Sequence, residues 1–114
     1  MLYPLIRKIL FAFDAESVHH FSMNRLKNVC SIGVAKKIIS KYYSAENGNI
    51  SKEVFGLHFK NPVGLGAGFD KNALYLRELE ALGFGFIEAG TVTPKPQAGN
   101  DRPRLFRLPQ DSAL

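Results

Sequence analysis

Residues 61–71 read Asn-Pro-Val-Gly-Leu-Gly-Ala-Gly-Phe-Asp-Lys and predict a strand that ends in nearly bare backbone. The apolar run Val63–Ala67 is typical of a buried strand, and its glycines lack the Cβ atoms that would keep a ligand away. Asp70 and Lys71 follow at once, just before a helical pattern. In α/β proteins, such a strand end brings a flat or phosphorylated ligand against the main chain.

Two parallel strands and a connecting helix are predicted around this stretch. Leucines at helical spacing predict a helix over 72–82, which Gly83 ends. A second buried strand is predicted over 84–92, and a strand–helix–strand order with short loops implies a right-handed βαβ unit. After a loop rich in proline and glycine, residues 104–108 (RLFRL) are interpreted as a further strand.

The glycine run fits neither common phosphate-binding motif. A dinucleotide fingerprint would need glycine where Phe69 stands, and a P-loop would need serine or threonine at Asn72. Lys71 and Thr91 then remain at the ends of the two strands, which in a barrel face the active site. A lysine there suits an anionic substrate or a reduced flavin. The alternative is that Asp70 is merely a helix N-cap and Lys71 a surface lysine.

The N-terminal segment 1–43 carries the whole net charge of +5, since the remainder holds equal numbers of acidic and basic residues. It shows three short amphipathic helical patterns, with Asp14 as the expected N-cap of the second and Glu16 in its first turn. A helical cap with solvated lysines and a module that binds an anionic membrane surface both fit this pattern. Nucleic-acid binding is disfavoured, because no recognised motif accompanies the charge.

The predicted domain organisation has three parts. Residues 1–43 form a helical, membrane-associating segment, 44–51 are a polar linker, and 52–114 contain a hairpin and the first βαβ part of a barrel. Since two parallel strands cannot close a sheet, we expect an α/β fold that is the first part of a (β/α)8 TIM barrel, whose full size is about 200–250 residues.

Metal and membrane-spanning sites are not expected. His19 and His20 are adjacent rather than one helical turn apart, so they do not form a metal pair. Cys30 is the single cysteine, which excludes an internal disulfide, and is expected to be a small buried hydrophobe. No apolar run reaches the roughly 18 residues of a membrane span, and no cleaved signal or transit peptide is recognised.

Four stretches resemble class 2, quinone-dependent dihydroorotate dehydrogenases: residues 3–8, 59–71, 83–97 and 99–108. The resemblance implies an FMN-containing TIM barrel that oxidises dihydroorotate to orotate in pyrimidine (UMP) biosynthesis and passes the electrons to a membrane quinone. The charged N-terminal segment would then be a peripheral anchor on the cytoplasmic side of the cell membrane.

The resemblance also implies roles for individual residues. Lys71 would contact both FMN and substrate, and His19 and Arg107 would line the quinone tunnel. The catalytic serine base is expected beyond residue 114, so the 114-residue piece alone is expected to be inactive. The implied FMN contacts are Ala67, Gly68, Phe69, Asp70, Lys71 and Thr91.

Overall fold

The protein is described by a computed structural model, in which the chain divides into two compact units. One unit is formed by Met1–Arg25 with Pro94–Leu114, and the other by Leu26–Thr93. The domain boundaries expected from sequence remain a prediction, and most of the predicted linker 44–51 lies outside the described residues. The structure describes residues 2–44, 50–111 and 113.

Three helices occupy the N-terminal segment, as the sequence pattern predicts: α1 spans Tyr3–Phe11, α2 Ala15–Cys30 and α3 Gly33–Tyr43. The predicted N-cap of α2 is confirmed, because the Ser17 amide donates a 2.8 Å hydrogen bond to Oδ2 of Asp14. This bond lowers the pKa of Asp14. None of the helices in the described residues is long and apolar enough to cross a membrane.

A tight hairpin follows, as predicted. Strand β1 (Lys52–Val54) pairs antiparallel with β2 (Leu57–Phe59), so that Val54 lies opposite Leu57. The two turn residues have positive φ, 54° at Phe55 and 74° at Gly56. This geometry is that of a turn whose twist matches the strands, although it places an almost fully exposed phenylalanine in the left-handed region.

The predicted parallel pairing is confirmed. Strand β3 (Gly64–Leu65) pairs parallel with β4 (Phe86–Ile87), and helix α4 (Leu76–Ala81) lies between them in the chain. Backbone bonds of 2.9 Å from Gly85 N to the Val63 oxygen and from Glu88 N to the Leu65 oxygen extend the pairing. Both strands are shorter than the sequence pattern predicts.

The helix predicted over 72–82 is wrong at its start, because α4 begins only at Leu76. The carboxylate of Asp70 accepts hydrogen bonds from the amides of Leu74 and Tyr75, at 3.0 and 2.8 Å. These bonds hold the preceding residues in a turn, in which Ala73 has a φ of 54°. The side chain of Asp70 thus competes with the helical backbone.

The strand predicted over 104–108 is also wrong. Among the described residues, this stretch forms only an isolated antiparallel bridge between Leu108 and Ala113. Its two arginines bond instead to Glu16 and to the carbonyl of Phe13. Such distant partners leave no trace in the local sequence pattern.

The small core of the Leu26–Thr93 unit forms where α3 packs against α4. Leu79 is 1% exposed and Tyr75 is 4% exposed, and truncating a leucine buried in this way to alanine costs about 2–5 kcal/mol. Cys30 is buried, as expected. Burial, followed by the negative charge of Glu78, raises the pKa of its thiol.

Candidate functional site

A backbone hydrogen bond joins the loops that follow β3 and β4. The amide of Gly90 donates a 3.2 Å hydrogen bond to the carbonyl oxygen of Lys71. A Cβ atom at Gly90 would lie 2.5 Å from that oxygen, so glycine is what permits the approach. Thr91 follows Gly90 directly in the chain. Lys71 and Thr91, the two residues predicted at this edge of the sheet, therefore belong to segments that contact each other.

Asp70 fixes the turn that carries Lys71. Its side chain is buried, and both of its oxygens accept backbone N–H groups, from Leu74 and Tyr75. The alternative that Asp70 is the N-cap of α4 is wrong, because Tyr75 occupies that position. With its side chain occupied, Asp70 can offer a ligand chiefly its main chain.

The main chain before this turn has open space beside it. Cβ atoms built on Gly66 and Gly68 would meet nothing within 4 Å. The amide of Phe69 donates a 3.3 Å hydrogen bond to the Gly66 oxygen, which closes a separate turn over residues 66–69. Phe69 and Lys71 are exposed, and Ala67 is half-buried. The stretch therefore offers accessible backbone with a lysine beside it.

Asn61 positions the strands that lead to this site, and the sequence reasoning missed it. Its amide nitrogen donates to the Gly83 carbonyl at 2.9 Å, and its side-chain oxygen accepts from Val63 N at 3.0 Å. A Cβ at Gly85 would collide with the Asn61 carbonyl. The available signal is the Asn-Pro pair that precedes the glycine-rich strand.

A separate concavity of about 310 Å³ lies in the same unit, away from the predicted cofactor residues. One of its lysines, Lys60, already lies 3.7 Å from the carboxylate of Glu80. None of Ala67–Lys71 and Thr91 lines it. Its lining residues include Lys36, Ser40, Ser44, Asn61 and Phe84.

In the unit formed by Met1–Arg25 and Pro94–Leu114, a buried carboxylate gathers two arginines. Glu16 is 6% exposed, and its oxygens accept from Nη2 of Arg104 at 2.6 Å and from Nη2 of Arg102 at 3.1 Å. The hydrogen bond from Arg104 lowers the pKa of Glu16 and raises the pKa of Arg104. The sequence reasoning assigned Glu16 only to the helix dipole.

Arg107, one of the two residues predicted at the quinone tunnel, binds the C-terminal end of α1. Its Nη1 donates to the carbonyl of Phe13 at 2.6 Å and to that of Phe11 at 3.2 Å. Its guanidinium carbon also lies 4.6 Å from the centre of the Phe11 ring. A cation at this position satisfies carbonyl groups that the helix end leaves open.

His19, the other predicted tunnel residue, lies half-buried on α2. Its ring meets that of His20 edge-on, with 5.4 Å between the centroids. His20 also lies 3.9 Å from a carboxylate oxygen of Glu16. In the part of the chain that the structure describes, no three histidines, cysteines or carboxylates are grouped so as to hold a metal ion.

A family model described as dihydroorotate dehydrogenase matches residues 49–114, more than half of the chain. The chain belongs to the dihydroorotate dehydrogenase family. Its relatives include the dihydroorotate dehydrogenase (quinone) of Christiangramia forsetii, 54% identical over the whole chain and 34% of the relative. That of Ralstonia nicotianae is 51% identical over 99% of the chain and 31% of the relative.

Solved dihydroorotate dehydrogenase structures are also similar. The crystal structure of the Eimeria tenella enzyme in complex with ferulenol matches with a TM-score of 0.62 and 43% identity, over 86% of this chain and 24% of that one. The ligand-free type from the same organism matches with a TM-score of 0.54 and 45% identity, over 69% and 23%.

These matches place the described elements within a larger fold. The chain spans about a third of the length of the curated dihydroorotate dehydrogenases that it matches. Likeness to dihydroorotate dehydrogenase structures implies the fold of a TIM-barrel enzyme. The described residues are a small mixed helix–strand part of that fold.

Proposed function

We propose that this chain forms the N-terminal part of a quinone-dependent dihydroorotate dehydrogenase, which oxidises dihydroorotate to orotate in pyrimidine (UMP) biosynthesis. The observation that supports it most directly is the 54% identity to the dihydroorotate dehydrogenase (quinone) of Christiangramia forsetii. Within the structure, it is supported by the 3.2 Å backbone hydrogen bond between Gly90 and Lys71. It brings the two segments that carry Lys71 and Thr91 to the same edge of the parallel pair, where TIM-barrel enzymes hold their active sites.

The residues present fit one wall of an FMN site. A flat ring needs main chain without obstructing side chains, and the space beside Gly66 and Gly68 is free of other protein atoms. Ala67, Gly68, Phe69 and Asp70 would supply backbone to the ring, and Thr91 a hydroxyl group. When bound, FMN would supply the acceptor for the hydride that leaves the substrate.

Lys71 would orient the substrate and hold it near FMN by its charge. Its side chain is exposed, and its backbone is fixed by the Gly90 bond and by the turn around Asp70. An ammonium held in this way suits the carboxylate of dihydroorotate and opposes loss of the substrate to water. The serine base that removes a proton from the substrate would lie beyond residue 114.

His19 and Arg107 would line the route to the membrane quinone. Both residues lie in the unit formed by Met1–Arg25 and Pro94–Leu114. Arg107 binds the end of α1 through carbonyl groups, which holds its guanidinium beside the Phe11 ring. A cation flanked by an aromatic ring would suit the polar edge of an otherwise apolar quinone.

The N-terminal helices would associate with an anionic membrane surface, on the cytoplasmic side. Helix α1 has no buried residue, and Leu2, Tyr3 and Ile9 on or beside it are each more than half exposed. The basic residues of segment 1–43 would face lipid headgroups, each contributing about 1 kcal/mol. Flotation with anionic vesicles, with and without residues 1–43, tests this part: equal binding by both would contradict it.

Replacement of Lys71 by alanine in the full-length enzyme tests the main proposal. We expect slower flavin reduction by dihydroorotate, because the charge that orients the substrate is gone. Lys52→Ala, on an exposed face of β1, is the matched control and should leave reduction unchanged. Unchanged reduction kinetics in Lys71→Ala would contradict the assigned role.

Two other functions remain to be separated by experiment. The same strand end could hold FMN in a barrel that oxidises another flat heterocycle, and a substrate panel with the full-length protein distinguishes that case. The exposed apolar face of α1 would also suit a non-catalytic membrane-binding module. Dihydroorotate-dependent flavin reduction would rule that module out as the whole function. We propose no nucleic-acid partner.

A further inference from the structure

The guanidinium group of Arg104 donates hydrogen bonds in two directions. Its Nε and Nη2 form a fork on Glu16, with distances of 3.1 Å to Oε2 and 2.6 Å to Oε1. Its Nη1 turns the other way and donates to the carbonyls of Ala98, at 2.9 Å, and Asn100, at 3.3 Å. One planar guanidinium therefore holds both the first turn of α2 and the loop before itself.

The loop is shaped to admit this guanidinium. Gly99 has a φ of 78°, and a Cβ built there would lie 2.7 Å from Nη1 of Arg104. Any side chain at this position would therefore crowd the guanidinium as well as strain the backbone. Arg102 approaches the same carboxylate with a single bond of 3.1 Å, and its side chain is 68% exposed. Arg104 therefore binds the Glu16 carboxylate through two nitrogens, whereas Arg102 adds a single, exposed hydrogen bond.

A second arginine, Arg107, holds the next part of the same segment. It binds the carbonyls of Phe11 and Phe13, whereas Arg104 binds Glu16. The corner between α1 and α2 lies between Phe11 and Glu16 in the chain. Residues 104–107 are therefore attached to both sides of this corner.

We propose that Arg104, through its fork on Glu16, is a positioning residue for the electron-acceptor step, because it places Arg107 at the end of α1. The inference rests on the proposed function, in which Arg107 lines the route to the quinone. Arg104 itself contacts neither substrate nor flavin in this proposal. Its effect is confined to the second half of the catalytic cycle.

Lysine cannot replace Arg104 in this role. An ammonium is a point charge on a flexible stem and cannot direct donors to a carboxylate on one side and to two carbonyls on the other. Arg104→Lys keeps the positive charge and removes this geometry. Arg102→Lys is the matched control, since it changes the same residue type beside the same carboxylate but affects only one exposed bond.

The test uses the full-length FMN-loaded enzyme and separates the two half-reactions. Flavin reduction by dihydroorotate is measured by stopped flow, and re-oxidation is measured with a short-chain benzoquinone and with molecular oxygen. For Arg104→Lys we expect the KM for the benzoquinone to rise about tenfold, with flavin reduction and oxidation by oxygen unchanged. Arg102→Lys should raise this KM less than twofold.

Hydrogen exchange supplies a readout besides activity. In Arg104→Lys, the hydrogen-bonded amides of Phe13 and Val18, on the two sides of the corner between α1 and α2, should exchange at least tenfold faster than in the wild type, while those of Gly85 and Glu88 keep their protection. Glu16→Gln keeps the shape of the side chain and weakens the fork, so it should change both readouts in the same direction. The Glu16→Gln variant replaces Arg104→Lys in the test if Arg104→Lys folds poorly.

Three results would overturn the positioning role. They are an unchanged exchange rate at Phe13 and Val18, an equal effect of Arg102→Lys, or an equal loss in flavin reduction and quinone reduction. Failure of the proposed function would look different, because the wild-type enzyme would then not reduce its flavin with dihydroorotate. In that case the exchange rates still decide whether Arg104 positions the segment.

Discussion

The carbonyl oxygen of Lys71 accepts its hydrogen bond from the amide of Gly90, a residue of the second loop rather than of its own turn. The position of the lysine therefore depends on a glycine that follows β4. In the proposed enzyme, the loop that orients the substrate and the loop that carries Thr91 would move as one body.

Gly90→Ala in the full-length protein should separate the two loops. The new Cβ would lie 2.5 Å from the Lys71 oxygen, so the backbone must shift at a cost of about 1–3 kcal/mol. We expect a lower free energy of unfolding in urea and a lower FMN content. Gly33→Ala is the control, because a Cβ there meets nothing within 4 Å. Equal stability of the two variants would contradict the packing argument.

Asp70→Asn should loosen the turn that holds Lys71. Both carboxylate oxygens accept backbone N–H groups, whereas the asparagine amide nitrogen is a donor and cannot accept the second one. The unpaired group should lower the free energy of unfolding by about 1–3 kcal/mol. Chemical denaturation measures this. Asp101→Asn, at an exposed position, should change it by less than about 0.5 kcal/mol.

The stabilising effect of Glu16 should disappear in acid. Arg104 lowers the pKa of Glu16 below its ordinary value of 4.5. Because the folded-state pKa is depressed, its contribution is fully present above the unfolded pKa and is lost as pH falls through the folded pKa. Thermal unfolding of wild type and Glu16→Gln should therefore differ most near neutrality. A gap in Tm that stays constant down to the acid range would argue against the ion pair.

The 114-residue polypeptide alone should bind FMN poorly and should not oxidise dihydroorotate. Apolar side chains before β3 and in the stretch after β4 are open to solvent, with Val63 61% exposed and Val92 93% exposed. The serine base that the reaction needs is also expected outside this piece. Flavin absorbance after purification and a quinone-reduction assay check this. Retained yellow colour together with activity would refute the prediction.

Local features of the fold could be predicted from the sequence because their causes are local. The N-cap of α2 depends on Asp14 and an amide three residues later. The parallel pairing of β3 and β4 followed from two short apolar runs around a helical pattern. The lysine and threonine at their ends could be placed for the same reason, although their roles toward FMN and substrate remain predictions.

Features that depend on distant partners could not be predicted. The short, largely apolar stretch 104–108 was interpreted as a strand, yet Arg104 binds a carboxylate 88 residues earlier in the chain, at Glu16. The start of α4 was misplaced because Asp70 supplies acceptors to amides that helical periodicity assigns to the helix. Asn61 was overlooked because its partner, the Gly83 carbonyl, becomes visible only once the strands are paired.

The buried thiol of Cys30 gives the chain a built-in reporter of its own opening. It is the single cysteine among the 114 residues, and burial both shields it and raises its pKa. The thiolate is the nucleophile that attacks an alkylating reagent, so labelling of this 114-residue polypeptide requires the surrounding helices to separate first. The rate at which the Cys30 sulfur is labelled therefore measures how often α2, α3 and α4 separate, without any engineered probe.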